Sequence, residues 1–333
     1  MVDDVNSEYI KPKNLMTLIV ISLLFLALAY IYIVIPVWAR GLNYGFSVSS
    51  QHLEEHVVFL STVDPPRSAE HPHSLNTAAD YIQKQWEQLG LDVSRQTFMV
   101  DGIEYHNIIA ELGSPEAPLA VIGAHYDVCG DQPGADDNAS AVAGLLELSR
   151  VLLAHQEELS YRFVLVAYAL EEPPHFATEF MGSAVHAASL SQEGQQPEFM
   201  VSLEMLGYFS DQPGSQQYPL PGMSLLYPSK GDFIALISDN SSRNMLKNIK
   251  KSMAAVSKVP IVSMCAPRQV VGIDFSDHRN YWQYGVPAMM LTDTAFFRNP
   301  NYHQVTDTPD TLDYERMAFV VEAFAWAMMN LEK

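Results

Sequence analysis

Hydrophobic residues are spread unevenly along this chain, and their spacing predicts most of its elements. Residues 15–38, LMTLIVISLLFLALAYIYIVIPVW, carry no charge, with Thr17 and Ser22 as small polar interruptions. About 20 apolar residues in helix cross a bilayer core, so this run is expected to be a transmembrane anchor, with a cleaved signal peptide or a buried core helix as the alternatives. Tyr30, Tyr32 and Trp38 fall toward one end, as interfacial aromatics do. Beyond it, 52–60 is amphipathic and reads as a helix. A second helix starts near Ser74, carries Ala78, Ile82, Trp86 and Leu89 on one face, and closes at Gly90. Strands are expected at 93–99, 107–112 and 119–124, then an Ala/Leu/Val-rich helix at 140–154. Segments 163–170, 200–206 and 288–291 are short apolar runs without alternation, the pattern of strands covered on both faces. Further helices are expected at 181–189, 244–256 and 314–330, and the Gln/Pro/Gly-rich stretch 209–223 reads as a surface loop.

Strands alternating with helices predict an α/β fold. The expected architecture is a single doubly wound, mostly parallel sheet with helices on both faces, plus one N-terminal transmembrane helix. The implied organisation is a short cytoplasmic N-terminus (1–14), the anchor (15–38) and one large domain (41–333). Lys11 and Lys13 precede the anchor and Arg40 follows it, a bias toward a cytoplasmic N-terminus that would leave the domain periplasmic or extracellular. The 19 Lys+Arg and 39 Asp+Glu give a net charge of −20, which argues against nucleic acid as a partner. Residues 1–40 hold three basic and three acidic groups, so the whole imbalance belongs to the large domain. Two cysteines exclude a disulfide-rich scaffold, and neither lies in a CxxC spacing.

In such a sheet, ligands bind at the carboxyl ends of strands. His125 ends VIGAH, with Asp127 two residues on, and PGADDNAS at 133–140 leads into a helix. Glu171 and Glu172 directly follow FVLVAYAL, Glu204 ends FMVSLE, and His303 lies beyond the strand at 288–291. Adjacent carboxylates at a strand end repel each other unless a cation or proton compensates. Carboxylates and imidazoles converging on one edge suit a divalent metal, zinc above all for mixed nitrogen and oxygen ligation. Two histidines and three carboxylates are more than one open zinc site needs, and suit two metals sharing a carboxylate. One glutamate of the pair is then free to act as general base.

The motifs AHYD, PGADDNAS, the paired glutamates followed by Gly182-Ser183, LEMLGY, FSDHRNYW and YHQVTDTPDTLDY resemble those of the co-catalytic zinc exopeptidases, the clan of bacterial leucyl aminopeptidase and glutamate carboxypeptidase. The likeness runs from about residue 50 to the C-terminus and includes Pro65-Pro66-Arg67. It implies two zinc ions, with Asp137 bridging them, His125 and Glu204 completing one site, and Glu172 and His303 the other. It makes Glu171 the general base and has Asp127 orient His125. Tyr302 is a candidate donor to the oxyanion or an aromatic packed beside the site, and Asp277 and His278 are expected to organise their loop. The implied activity is membrane-anchored exopeptidase hydrolysis of short peptides, favouring an aminopeptidase, through a water between the metals; a monomer is favoured.

Some features depart from that pattern. Ala141 follows NAS where the family usually has glycine, and ten residues separate Glu172 from Ser183, with Pro173 and Pro174 stiffening the segment. His175 lies in that loop. Cys129 and Cys265 could pair if the loop at 265 folds over the site. Arg268 and Arg279 near the site loops leave amino- versus carboxypeptidase preference open. A glutaminyl-peptide cyclotransferase with a single zinc uses a related fold and similar residues, and is the alternative enzyme. A non-catalytic ectodomain would be expected to have lost ligands, and all five are present here with the base.

Overall fold

In the computed structural model, which describes residues 41–331 together with 16–17, 20–24, 28, 30–31 and 34–37, eight strands form one sheet. They are β1 (Val93–Val100), β2 (Ile103–Leu112), β3 (Leu119–His125), β4 (Arg162–Tyr168), β5 (Phe199–Glu204), β6 (Ile234–Ser238), β7 (Ile261–Cys265) and β8 (Ala288–Thr292). The spatial order is β1-β2-β4-β3-β5-β8-β6-β7. The centre, β4-β3-β5-β8, is parallel throughout, and β6 and β7 are parallel to each other. The pairs β1–β2, β2–β4 and β6–β8 are antiparallel, so the sheet is mixed, which corrects the mostly parallel expectation. The reason is local at one edge: Asp101 and Gly102 both take positive φ between β1 and β2, and such a two-residue turn returns the chain as a hairpin.

The absence of alternation in the central strands has a simple cause. Along β3, Ala120, Ile122 and Ala124 enter one apolar core, while Leu119 and Val121 enter another on the opposite face. Phe163, Leu165 and Ala167 of β4 go to the first core, and Val164, Val166 and Tyr168 to the second. The larger core is covered by α1 (Ser50–Ser61), α2 (Pro72–Gln88), α3 (Ala141–Ala154), α5 (Arg243–Ala254) and α7 (Tyr314–Met329). The smaller lies under α4 (Gly182–Gln192) and the short α6 (His278–Tyr281). On α5 the spacing of Leu246, Ile249 and Met253 puts three fully buried side chains on one stripe, each contributing about 1.5–3 kcal/mol. Trp86 of α2 is fully buried and donates its indole N–H to Ser149 Oγ of α3 at 3.1 Å.

The transmembrane helix and the single-pass location are also corrected. Among the described residues, no helix is long and apolar enough to cross a membrane. Where the apolar run ends, the chain turns into the domain: Val34 and Ile35 are buried, and the Val34 carbonyl accepts from Lys250 Nζ at 2.8 Å and Ser263 Oγ at 2.9 Å. Ile35 has φ 47, outside helical geometry. The expected cytoplasmic N-terminus (1–14) and, within 15–38, residues 15, 18–19, 25–27, 29, 32–33 and 38 lie outside the described residues.

The chain passes from β3 to β4 on one side and then to β5 on the other, so the order reverses at β3. A crevice forms beyond the carboxyl ends of strands at such a point, and the predicted residues sit there.

Candidate metal centre

His125 is the last residue of β3 and only 1% exposed. Its Nε2 lies 3.4 Å from Glu204 Oε2, at the end of β5, and 3.5 Å from Asp137 Oδ1. The other oxygen of Asp137 faces His303, with Nε2–Oδ2 at 3.2 Å, and His303 Nε2 is 3.3 Å from Glu172 Oε1. Asp137 therefore stands between two imidazoles, presenting one oxygen to each. Glu171 is offset, its Oε2 3.9 Å from His125 Nε2. His125 Nδ1 faces Asp127 Oδ1 at 3.4 Å, and the Asp127 carboxylate also accepts the backbone N–H of Glu171 (3.1 Å) and Glu172 (3.0 Å).

These side chains are aimed by unusual backbone. Leu170, just before the glutamate pair, has φ 63; Met205, just after Glu204, has φ 50; His303 itself has φ 55. A left-handed non-glycine residue costs on the order of 1–2 kcal/mol and persists only where its surroundings impose it. Two glycines provide close approach. A Cβ on Gly182 would meet Asn107 Oδ1 at 2.1 Å and Ala169 O at 2.6 Å, so α4 can begin against the end of β4. Gly134, with φ 61, turns the chain into the aspartate loop, where a Cβ would meet Asp137 O at 2.3 Å.

The buried charge is frustrated without a cation. Burial raises Glu171 well above the ordinary glutamate range and Glu172 to about 8, with Asp137 adding to the latter. Burial would lower both histidines, but surrounding carboxylates override it: Glu204 and Glu171 hold His125 well above 6.5, and Asp137 and Glu172 bring His303 to about 10. The cluster thus holds protons that a divalent cation would replace. Asp137 Oδ2 and His303 Nε2 are buried atoms without a hydrogen-bond partner, although only 3.2 Å apart. One atom from each of His125, Asp137 and Glu172 lies within 4.8 Å of the others, close enough for a shared ion. The donor set of imidazole and carboxylate fits zinc.

Comparison with known proteins agrees with this geometry. The model of Peptidase family M28 matches residues 107–328, most of the chain. The chain belongs to this family. It is a metallopeptidase-type hydrolase. This M28 chain is 46% identical to the uncharacterized protein YfbL of Escherichia coli, over 85% of this chain and 88% of that one. A probable leucine aminopeptidase of Trichophyton verrucosum is 25% identical over 73% of this chain, which spans 62% of its length. In fold the chain is similar to the LapA aminopeptidase of Legionella pneumophila (TM-score 0.67, 22% identity, 85% of this chain and 72% of that one). It is also similar to a glutaminyl cyclase of Bacteroides thetaiotaomicron bound to N-acetylhistamine (TM-score 0.65, 17% identity, 87% and 100%).

The structure of this M28 peptidase also reveals supports that the sequence pattern did not single out. Asp307 accepts the backbone N–H of Asp136 at 2.9 Å and of Asp137 at 3.0 Å, clamping the aspartate loop. Its motif, TDTPDT, was part of the resemblance, but nothing in spacing alone marks which aspartate does this. Arg67 is buried and donates to the carbonyls of Leu60, Tyr126, Pro133 and Gly134, so the Pro-Pro-Arg motif fixes the same loop from behind. Asn138 ties it to the end of β5 through Leu203 O and Met205 N. Ser276 donates to Glu204 Oε2 at 2.7 Å. Asp136 is turned away from the centre toward Asn299 and Asp293, and burial beside Asp293 raises it well above the usual range.

Other expected residues are placed as follows. His278 donates its Nε2–H to the carbonyl of Ile273 in its own loop at 2.8 Å. Asp277 is fully buried, and burial raises it to about 7. The ring of Tyr302 stacks on His303, centroids 3.8 Å apart. His175 sits in the loop after Glu172, its ring 6.5 Å from Tyr105 and 6.3 Å from Phe180. Cys129 and Cys265 are both free thiols, so the pairing considered from sequence does not form. Cys129 stands at the rim of the centre and Cys265 ends β7.

Proposed function

We propose that this protein is a dinuclear zinc aminopeptidase. The observation that carries the reading is the division of Asp137, one oxygen toward the His125–Glu204 side and one toward the His303–Glu172 side. Zinc bound there would polarise the scissile carbonyl and acidify the attacking water. Glu171 takes the proton from that water and delivers it to the leaving amine nitrogen, a role suited by its offset position. Asp127 holds the Nδ1–H tautomer of His125, leaving Nε2 as the donor atom. The Tyr302 hydroxyl is the donor to the developing oxyanion.

Preference for the amino end follows from charge. Arg268 is paired with Asp239 at 2.7 Å, and Arg279 faces Asp274 at 3.4 Å, so both arginines have carboxylate partners of their own. With both arginines so engaged, neither is available to a substrate carboxylate, which favours the amino end. An apolar cavity of about 90 Å³ adjoins Glu204 and Tyr302 and is lined by Tyr218, Met223, Phe233, Ile237, Met264 and Phe297. It is suited to a large apolar side chain on the first residue.

The test is an assay of the full-length, zinc-loaded protein against free-amine dipeptides, their N-acetylated forms and peptides beginning with glutamine. Release of a free apolar amino acid from free-amine substrates alone is expected. Cleavage confined to N-blocked substrates would overturn the aminopeptidase reading, and formation of pyroglutamate without release would move the protein to cyclotransferase chemistry.

A further inference from the structure

The outer half of the centre, on the Glu172–His303 side, has a fourth potential donor that the reading above leaves unused. Cys129 lies four residues after His125, on the loop leaving β3. Its Sγ, one carboxylate oxygen of Glu172 and one ring nitrogen of His303 all fall within 4.8 Å of one another. Cys129 is partly exposed and not in a disulfide, so its thiol is unspent. A second observation points to a ligand at the same place. Asp137, 2% exposed, directs its unpartnered Oδ2 to within 3.2 Å of the same His303 nitrogen. Sulfur, nitrogen and one carboxylate oxygen therefore converge on one small volume, and the Asp137 oxygen lies beside the same nitrogen; with a water these donors would give zinc the five ligands it also accepts.

We propose that Cys129 is a further metal ligand, binding the outer ion through its thiolate alongside Glu172, His303 and Asp137. The proposal rests on the dinuclear reading and adds a soft donor to it. As the sulfur–metal bond forms, the thiol releases its proton to solvent, so a dication and a neutral thiol become a thiolate complex and a free proton. The two halves then differ in chemistry: the inner one has only nitrogen and oxygen donors, and the outer one has sulfur. A soft donor biases the outer half toward zinc, cobalt or cadmium and away from magnesium or manganese.

The experiment loads full-length protein with cobalt(II) and reads the near-ultraviolet thiolate-to-cobalt charge-transfer absorption, with metal content measured in parallel. The wild type and Cys265→Ser are expected to show the absorption, and Cys129→Ser to lack it while still folding by circular dichroism. Zinc affinity of the outer half, measured by chelator competition, should fall in Cys129→Ser by about 10–100-fold, at least what losing an outer-shell partner costs. Cobalt bound without thiolate absorption in the wild type, or absorption that survives Cys129→Ser, overturns the proposal and leaves the dinuclear centre standing. Failure of the wild type to take up cobalt or zinc at all overturns both.

Discussion

The two halves of the centre are built differently. The inner half comes from the ends of adjacent parallel strands, β3 and β5, and His125 is 1% exposed with Ser276 fixing its partner Glu204. The outer half comes from loops: Glu172 lies two residues after the left-handed Leu170, His303 is itself left-handed, and its side chain is 26% exposed. Strand ends in a packed sheet have little freedom, whereas a loop residue at the rim is held by fewer contacts. The inner half is thus the more enclosed one, and the outer half is the more open to solvent, at His303. Asp137 joins the two, and it is the most heavily supported position in the centre, gripped through its loop by Asp307, Arg67 and Asn138.

The largest effect is expected from separating the chemistry from both halves. Glu171→Gln should lower turnover by about 10²–10⁴-fold while metal content stays at the wild-type level. Metal lost together with activity would make Glu171 a ligand and erase the division between base and ligands. A smaller effect isolates the inner half. Ser276→Ala removes the hydrogen bond to Glu204 Oε2 and should weaken inner-half metal by about 10–100-fold, leaving the outer half unchanged. Equal weakening of both ions, followed by chelator competition, would show that the halves are not independent.

The smallest effect tests how far protons stand in for metal. In the metal-free protein burial raises Glu172 to about 8, and Asp277 and Asp307 to about 7. Between about pH 4, where an unfolded carboxylate releases its proton, and these values, the native state binds more protons, so stability falls as pH rises. His303 acts in the same direction: its contribution is complete below the unfolded value near 6.5 and is lost as pH rises through about 10. Asp137, held low by the two histidines against its burial, contributes stability lost at acid pH. The Tm of the metal-free protein should therefore drop from pH 5 to pH 8, and zinc should shrink that drop. A Tm difference that zinc leaves untouched would mean that these groups are not coupled to the metal.

Much of the site was legible because strand and motif coincide. His125 and Glu204 are the last residues of apolar runs, and a sheet places such residues at one edge. The edge strands were harder. β6 and β7 are only five residues each, IALIS and IVSMC, and periodicity over so few positions does not separate them from loop. The hairpin turn Asp101-Gly102 was a signal in the sequence for an antiparallel pair, and it defeats the mostly parallel expectation. The apolar run at 15–38 had the composition of an anchor, but composition cannot register that Val34 and Ile35 are buried against the domain.

The sequence by itself determined the class of fold, the order of the central elements and which residue types could meet a metal, because hydrophobic period and strand-end polarity are local properties. Only the tertiary structure decided how they meet. That Asp137 turns one oxygen to each histidine, that Asp307 rather than a nearer residue clamps its loop, and that Cys129 stands beside Glu172 and His303 all depend on distances between segments far apart in the chain. Such distances are set by the packing of two cores against one sheet, and no local pattern encodes them.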